Sequence, residues 1–192
     1  MSDSVAVVVP IRTFDDGKVR LAARLDGAAR SALLRSMADA VVAAATPWHV
    51  VVVTSAPEVR TWAAGRRLDV IDDPGSLDAA ATAGLLHARS FRPDRVVVAH
   101  ADLPLVTSLE PLAGAGAAPV AVVVPCHRGD GTPLLSFPAG VDFGFAYGPG
   151  SFARHCTEAR RLGLDVVELW DDVRLRHDLD EPSDLEDLGL GA

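Results

Sequence analysis

Two textures alternate along this chain. Apolar runs of four to six residues, bounded by Pro, Asp or Gly, are interleaved with Ala/Leu/Arg segments whose apolar positions recur at helical spacing. Runs of the first kind predict strands buried on both faces, as in a parallel sheet. They cover 5–10 (VAVVVP), 48–55, 68–72, 95–101 and 119–125, with 133–137, 165–169 and 175–179 as later candidates. Segments of the second kind predict helices over 27–45, 57–65, 76–90, 108–114, 150–163 and 182–188. In the first of these, Asp26 stands as an N-cap, and Leu33, Met37 and Val41 fall four apart on one face. Pro182 suits a first helical turn, with Glu181 and Asp184 near its positive end. No repeat, low-complexity tract or linker interrupts the pattern. The expectation is one α/β domain over residues 1–192, with a three-layer, mostly parallel, doubly wound sheet.

In such sheets ligands bind beyond the carboxyl ends of the strands, which directs attention to loops 11–25, 72–78, 101–107, 126–132 and 146–152. The first loop reads IRTFDDGKVR. It lacks the GxGxxG of a dinucleotide site, and Gly17-Lys18 lacks the spacing and following hydroxyl of a P-loop. Asp15-Asp16 could open a receiver-type acidic site, but no lysine follows the fifth strand. What the loop offers is Arg12, Lys18, Arg20 and Arg24, and Lys18 is the single lysine of the whole chain. A compact ammonium with planar guanidinium forks makes a cradle for a polyphosphate, although such a cluster is also compatible with a solvated face.

In VVVAHADLPLV, Asp102 sits at the carboxyl end of a buried strand. Asp178 and Asp180, in RHDLDEPSDL, end a later candidate strand. Two carboxylates meeting from separate strand ends offer the few hard oxygen ligands that Mg²⁺ takes, leaving positions for water and phosphate. Gly129, Gly131, Gly148 and Gly150 allow backbone N–H groups to turn inward as an anion nest. Thr132 and Ser151 add hydroxyls, Ser151 at the start of the 150–163 helix, where the dipole favours an anion. His155 and Cys156 point in different directions on one helix and make a poor nucleophile–base pair. The six histidines show no metal-ligand spacing; only His100, beside Asp102, invites attention.

The net charge of −8 argues against nucleic acid as a partner, since phosphate backbones are held by clustered Lys and Arg. A small nucleotide remains compatible through a divalent ion. Cys126 and Cys156, in no CxxC arrangement, fit a reduced cytoplasmic protein. No basic segment precedes the first apolar run, and the longest apolar stretch is broken by Pro47, Trp48 and His49, so neither a signal peptide nor a membrane span is expected.

The ordered set VPIR, GKVRLAARL, DPGSLDAA, HADLPL, GDGTPLL, FAYGPGSFARH and DLDEPSDLEDL resembles the CofC/FbiD guanylyltransferases of coenzyme F-420 synthesis, from about residue 5 to 190. The resemblance implies a nucleotide-diphospho-sugar-transferase-like nucleotidyltransferase fold with a seven-stranded, mostly parallel sheet. It implies GTP as donor, Mg²⁺ as cofactor, and transfer of GMP to the phosphate of a three-carbon acid with release of pyrophosphate. That acid is usually phosphoenolpyruvate in bacterial members and 2-phospho-L-lactate in archaeal ones; 3-phosphoglycerate is a further alternative. Carried over by position, Asp102 and Asp178 are the metal ligands. Thr132, Gly148 and Ser151 hold the acceptor, Lys18 and Arg20 the GTP phosphates, with Arg12 and Asp78 on the nucleotide side. The chain departs from the family in reading Asp130 and Pro133 within GDGTP, where GTGTN is common, and Ser76-Leu77-Asp78 where GLN is common. Rival readings are a molybdopterin or sugar-phosphate nucleotidyltransferase and a non-catalytic nucleotide-binding module. The expected partners are two small molecules rather than nucleic acid or membrane, with a homodimer as a candidate assembly.

Overall fold

The valine runs form the sheet that their pattern predicts. In a computed structural model describing residues 4–15, 17–114 and 117–188, the strands are β1 (Val5–Pro10), β2 (His49–Val53), β3 (Asp69–Ile71), β4 (Arg95–Ala99), β5 (Val120–Val124), β6 (Leu134–Pro138) and β7 (Asp165–Glu168). They join in one sheet of order β3-β2-β1-β4-β6-β5-β7, parallel except for β6, which runs antiparallel to β4 and β5. Asp16, half of the acidic pair considered above, lies outside the described residues.

β1 shows why the runs are continuously apolar. Val5, Val7 and Val9 enter one buried cluster with Ala38, Val41 and Trp62, while Ala6 and Val8 enter another with Ala81, Leu85 and Ala159. A strand covered on both faces has no polar side. The covering helices are α1 (Gly27–Ala44), α2 (Pro57–Gly65) and α4 (Glu110–Ala113) on the first face, and α3 (Leu77–Ala88) and α5 (Ser151–Arg161) on the second. Asp26 caps α1 by accepting the Ala29 N–H at 2.8 Å, and Met37 and Val41 are buried beneath that helix. Two shorter helices follow, α6 (Val173–Arg176) and α7 (Pro182–Asp187). Fully buried Arg95 crosses the strands, donating to Ser136 Oγ at 3.0 Å and to the Val120 carbonyl at 2.9 Å.

The expected elements lie within two residues of those observed, with one exception. Residues 175–179 are not a strand. Leu175, His177 and Leu179 are buried alternately, as a strand would be, but Asp172 accepts the Arg174 N–H at 3.0 Å and starts the turn of α6. Alternation arose here without a neighbouring ladder. The extended residues after α6 are fastened by one backbone bond that matters for the site, from the Leu179 N–H to the Asp102 carbonyl at 3.0 Å.

The strand order reverses between β1 and β4, because β2 and β3 lie to one side of β1 while the later strands lie to the other. The loops leaving β1 and β4 diverge there, which is where a doubly wound sheet opens a crevice. α3 lines that crevice and packs tightly on the sheet. A Cβ on Gly84 would fall 2.1 Å from Val8 Cγ1 and 3.2 Å from Val53 Cγ2. Gly84→Ala is therefore expected to destabilise the protein by about 1–3 kcal/mol through overpacking, read as a lower urea midpoint; an unchanged midpoint would show that α3 can stand off freely. Among the described residues no helix is long and apolar enough to cross a membrane.

Candidate active site

The loop after β1 is pinned before it reaches its lysine. Ile11 N–H donates to the Val53 carbonyl at 3.0 Å. Thr13 Oγ1 and the Phe14 N–H both donate to Glu58 Oε1, at 2.7 and 3.1 Å. Buried Phe14 stands edge-on to Trp62. Lys18 then adopts φ 50°, ψ 47°, a left-handed conformation that costs a non-glycine residue about 1–3 kcal/mol and persists only where its surroundings dictate it. Its ammonium lies 2.5 Å from Asp102 Oδ2 and bonds Asp180 Oδ1.

Asp178 reaches the same place. Burial pushes its carboxyl pKa up, and the charges of Asp102 and Asp180 push it further. Burial alone would lower the Lys18 ammonium; Asp102 and then Asp180 outweigh it and hold the lysine above its usual range. Burial likewise works against ionised Asp102, and Lys18 overcomes it, so that carboxyl titrates below its ordinary value. The cluster is three carboxylates, of which Asp102 and Asp180 bond the ammonium while Asp178 Oδ1 lies 2.9 Å from His127 Nδ1. Asp102 Oδ1 is buried with no hydrogen-bond partner among the described residues. The Leu179 N–H bond to Asp102 fixes the C-terminal segment against the end of β4, and Leu179 and Leu185 pack with Leu21 and Met37 just beyond Lys18.

Beside the cluster lies a cleft of about 820 Å³, lined among others by Arg12, Lys18, Ser76, Leu77, His100 and Asp102, a size suited to a nucleotide. Of the four cations in the first loop, the structure puts Arg12 and Lys18 on this cleft. Arg20 instead faces Glu181 at 3.7 Å, and Arg24 bonds Glu186. Asp78, in the first turn of α3, accepts the Tyr147 N–H at 2.7 Å and so ties α3 to the 145–150 loop.

Thr132, Gly148 and Ser151 come together. Ser151 Oγ donates to Thr132 Oγ1 at 3.3 Å, and the Ser151 N–H to the Gly148 carbonyl at 3.0 Å. His155 completes the group. Its Nε2 accepts the Ala146 N–H at 3.1 Å, so Nδ1 carries the proton and donates to Thr132 Oγ1 at 3.0 Å. Burial, reinforced by His100, pushes the His155 pKa down to about 4 and keeps the ring neutral. With two bonds accepted, the Thr132 hydroxyl retains its own proton for a ligand.

The inward-facing N–H nest expected of the glycine loops is filled from within. Gly150 N–H donates to Asp130 Oδ1 at 2.8 Å and Phe152 N–H to the Asp130 carbonyl at 3.1 Å. Gly131 N–H is spent on Cys126 Sγ at 3.1 Å. Gly148 and Gly150 do have positive φ, whereas Gly131 does not. Asp130 therefore occupies the start of α5 as an internal anion.

Tyr147 stands out in the structure and not in the sequence. Its hydroxyl is buried without a partner among the described residues, as is His100 Nε2, and the two rings lie 5.1 Å apart. No local pattern marks this tyrosine, because its position depends on the fold of the 145–150 loop.

A carboxylate–ammonium cluster at the switch point of such a sheet, beside a nucleotide-sized cleft, places the protein among the nucleotidyltransferases. The fold agrees: a crystal structure named for a nucleotide-diphospho-sugar transferase from Desulfovibrio desulfuricans G20 superposes with a TM-score of 0.77 over 97% of this chain and 86% of that one, at 18% identity. The chain belongs to the CofC family, described as guanylyl transferase CofC like, which matches residues 5–191. Similar relatives are the phosphoenolpyruvate guanylyltransferases of Roseiflexus castenholzii, 35% identical over 93% of this chain and 84% of the relative, and of Sphaerobacter thermophilus, 35% identical over 94% and 90%.

Proposed function

We propose that this protein transfers GMP from GTP to the phosphate of phosphoenolpyruvate, releasing pyrophosphate, as a step in coenzyme F-420 biosynthesis. The observation that carries the reading is Lys18 set between Asp102 and Asp180 at the mouth of a nucleotide-sized cleft. The substrates follow from the activity for which the relatives are named and from family membership.

The site fits Mg²⁺: Asp102 Oδ1 is buried and unpartnered, and the converging donors are carboxylate oxygens. Asp102 with Asp178 or Asp180 would hold it, and when bound it would neutralise phosphate charge. The chain's own residues supply position and field. Lys18 and Arg12 face the triphosphate from the β1 loop, while Thr132, whose own proton is left free by the bonds it accepts from His155 and Ser151, donates to the acceptor. An acceptor phosphate oxygen attacks the α-phosphorus in line; the new O–P bond forms as the bond to the β-phosphate oxygen breaks, and pyrophosphate leaves. Positioning and charge stabilisation suffice, so no protein nucleophile is needed.

The test is pyrophosphate release from GTP and Mg²⁺ with phosphoenolpyruvate, 2-phospho-L-lactate and 3-phosphoglycerate in parallel, coupled to a pyrophosphatase and a trap for the product. Release with phosphoenolpyruvate is expected. Release with only another acceptor would correct the substrate, and none with any, despite GTP binding, would favour a non-catalytic nucleotide-binding module.

Asp130 adds a prediction particular to this chain. Its carboxylate at the start of α5 stands beside the residues proposed to hold a doubly anionic acceptor, where two like charges about 4 Å apart cost about 1 kcal/mol even in bulk water. Asp130→Thr should lower the KM for phosphoenolpyruvate by about five- to tenfold with kcat little altered. An unchanged KM would place the acceptor elsewhere.

A further inference from the structure

A buried polar atom without a partner is rare in a folded protein, and each one calls for a reason. Here such atoms gather. Asp102 Oδ1, His100 Nε2 and Tyr147 Oη are all buried and unpartnered among the described residues. His100 and Asp102 lie just past the end of β4, and the Tyr147 ring stands 5.1 Å from the His100 ring. Asp102 Oδ1 has a use as a metal ligand; the imidazole nitrogen and the phenol have none within the chain. Both side chains are held in place. The Tyr147 N–H donates to Asp78 Oδ1 at 2.7 Å, and its ring stands edge-on to His155 at 4.7 Å. Arg154 donates to the Ala146, Tyr147 and Gly148 carbonyls and fixes the same loop. His100, which lines the cleft, donates its backbone N–H to the Pro133 carbonyl at 2.9 Å. Burial, and then the charge of Asp78, pushes the Tyr147 pKa up, so its hydroxyl keeps a proton to donate.

We infer that Tyr147 and His100 hold the carboxylate of the acceptor, as binding residues beyond Thr132, Gly148 and Ser151. The inference rests on the guanylyltransferase reading. The acceptor brings two anionic groups with different duties. Its phosphate must reach the α-phosphorus, where Lys18, Arg12 and a metal supply charge. Its carboxylate does not react and needs only neutral donors in a fixed place. A phenol O–H and an imidazole N–H, close together and shielded from water, are such donors, and a carboxylate oxygen accepts from both. Hydrogen bonds to an ionised group are stronger than neutral ones. A site built this way rejects acceptors that lack the group, because its own polar atoms are then left unpaired. The neighbouring residues agree. Gly148, in the acceptor group, follows Tyr147 directly, and Pro133, which holds the His100 backbone, follows Thr132.

The test sets phosphoenolpyruvate against vinyl phosphate, the same enol phosphate without its carboxylate, in steady-state pyrophosphate release. Tyr147→Phe should raise the KM for phosphoenolpyruvate by about 10- to 100-fold, with kcat and the KM for GTP little changed. His100→Leu should act in the same direction. The melting temperature of Tyr147→Phe without substrate should be unchanged or higher, since the substitution removes a buried hydroxyl that has no internal partner. Vinyl phosphate should compete with phosphoenolpyruvate equally well in the parent and in Tyr147→Phe, because it has nothing for the hydroxyl to meet. A loss of the same size with vinyl phosphate would assign the pair to the phosphate and overturn the inference. An unchanged KM in both variants would also overturn it and leave the two atoms to a fixed water. A parent that releases no pyrophosphate with any phospho-acid would remove the guanylyltransferase reading, and this assignment with it. Turnover by the parent that both variants match would remove the assignment alone.

Discussion

Asp102→Asn is expected to fold and to lose about 10²–10⁴ in kcat, the scale on which a metal ligand contributes several kcal/mol to a transition state. The substitution keeps shape and removes charge. The backbone that positions residue 102 remains, because Leu179 bonds its carbonyl rather than its side chain. Lys18 keeps Asp180, so the ammonium is not left alone in a partly buried place, and the stability cost should be no more than about 1–2 kcal/mol. What disappears is the carboxylate whose second oxygen is buried and unpartnered. Steady-state pyrophosphate release, run beside a urea melt, separates the two effects. A variant that turns over at nearly the parent rate would remove Asp102 from the metal site, whereas one that unfolds would make it a structural ion-pair residue.

Lys18→Met should lower kcat/KM for GTP by about 10²–10³, the loss typical when one preorganised donor to developing charge is removed. Lys18→Arg should not restore it. The ammonium fits between two carboxylates from different parts of the chain, and a planar fork needs more room and a different approach. Charge alone is therefore insufficient, and the pair of variants tests size against sign. Stability should separate the two variants. Methionine leaves Asp102 and Asp180 without their ammonium, so its melting temperature should fall further than that of the arginine variant. Recovery of activity by arginine would show that Lys18 acts only as a diffuse positive field.

Much of this was legible because burial on both faces writes a plain signal. β1, β2, β4 and β5 are valine runs, and no other texture suits a strand covered on two sides. Asp26 announced its helix, and Asp102 announced itself by following a buried strand with Leu-Pro. The 175–179 segment misled for a physical reason: Leu175, His177 and Leu179 alternate in and out as a strand would, but a ladder needs a neighbour, and periodicity does not report neighbours. The glycine loops misled differently. Their backbone conformations were anticipated at Gly148 and Gly150, but the destination of each N–H was not, since Asp130 returns to the Gly150 N–H across twenty residues. His127 and Tyr147 were out of reach, because each has meaning only through a distant partner, Asp178 for one and Asp78 for the other.

The fastening of Leu179 to Asp102 also separates the sheet from its site. Every strand ends by Glu168, whereas Asp178, Asp180 and two of the leucines that pack behind the Lys18 loop follow it. The segment after β7 adds no strand to the sheet, yet it carries two of the three carboxylates, so a cut between residues 169 and 177 divides scaffold from chemistry.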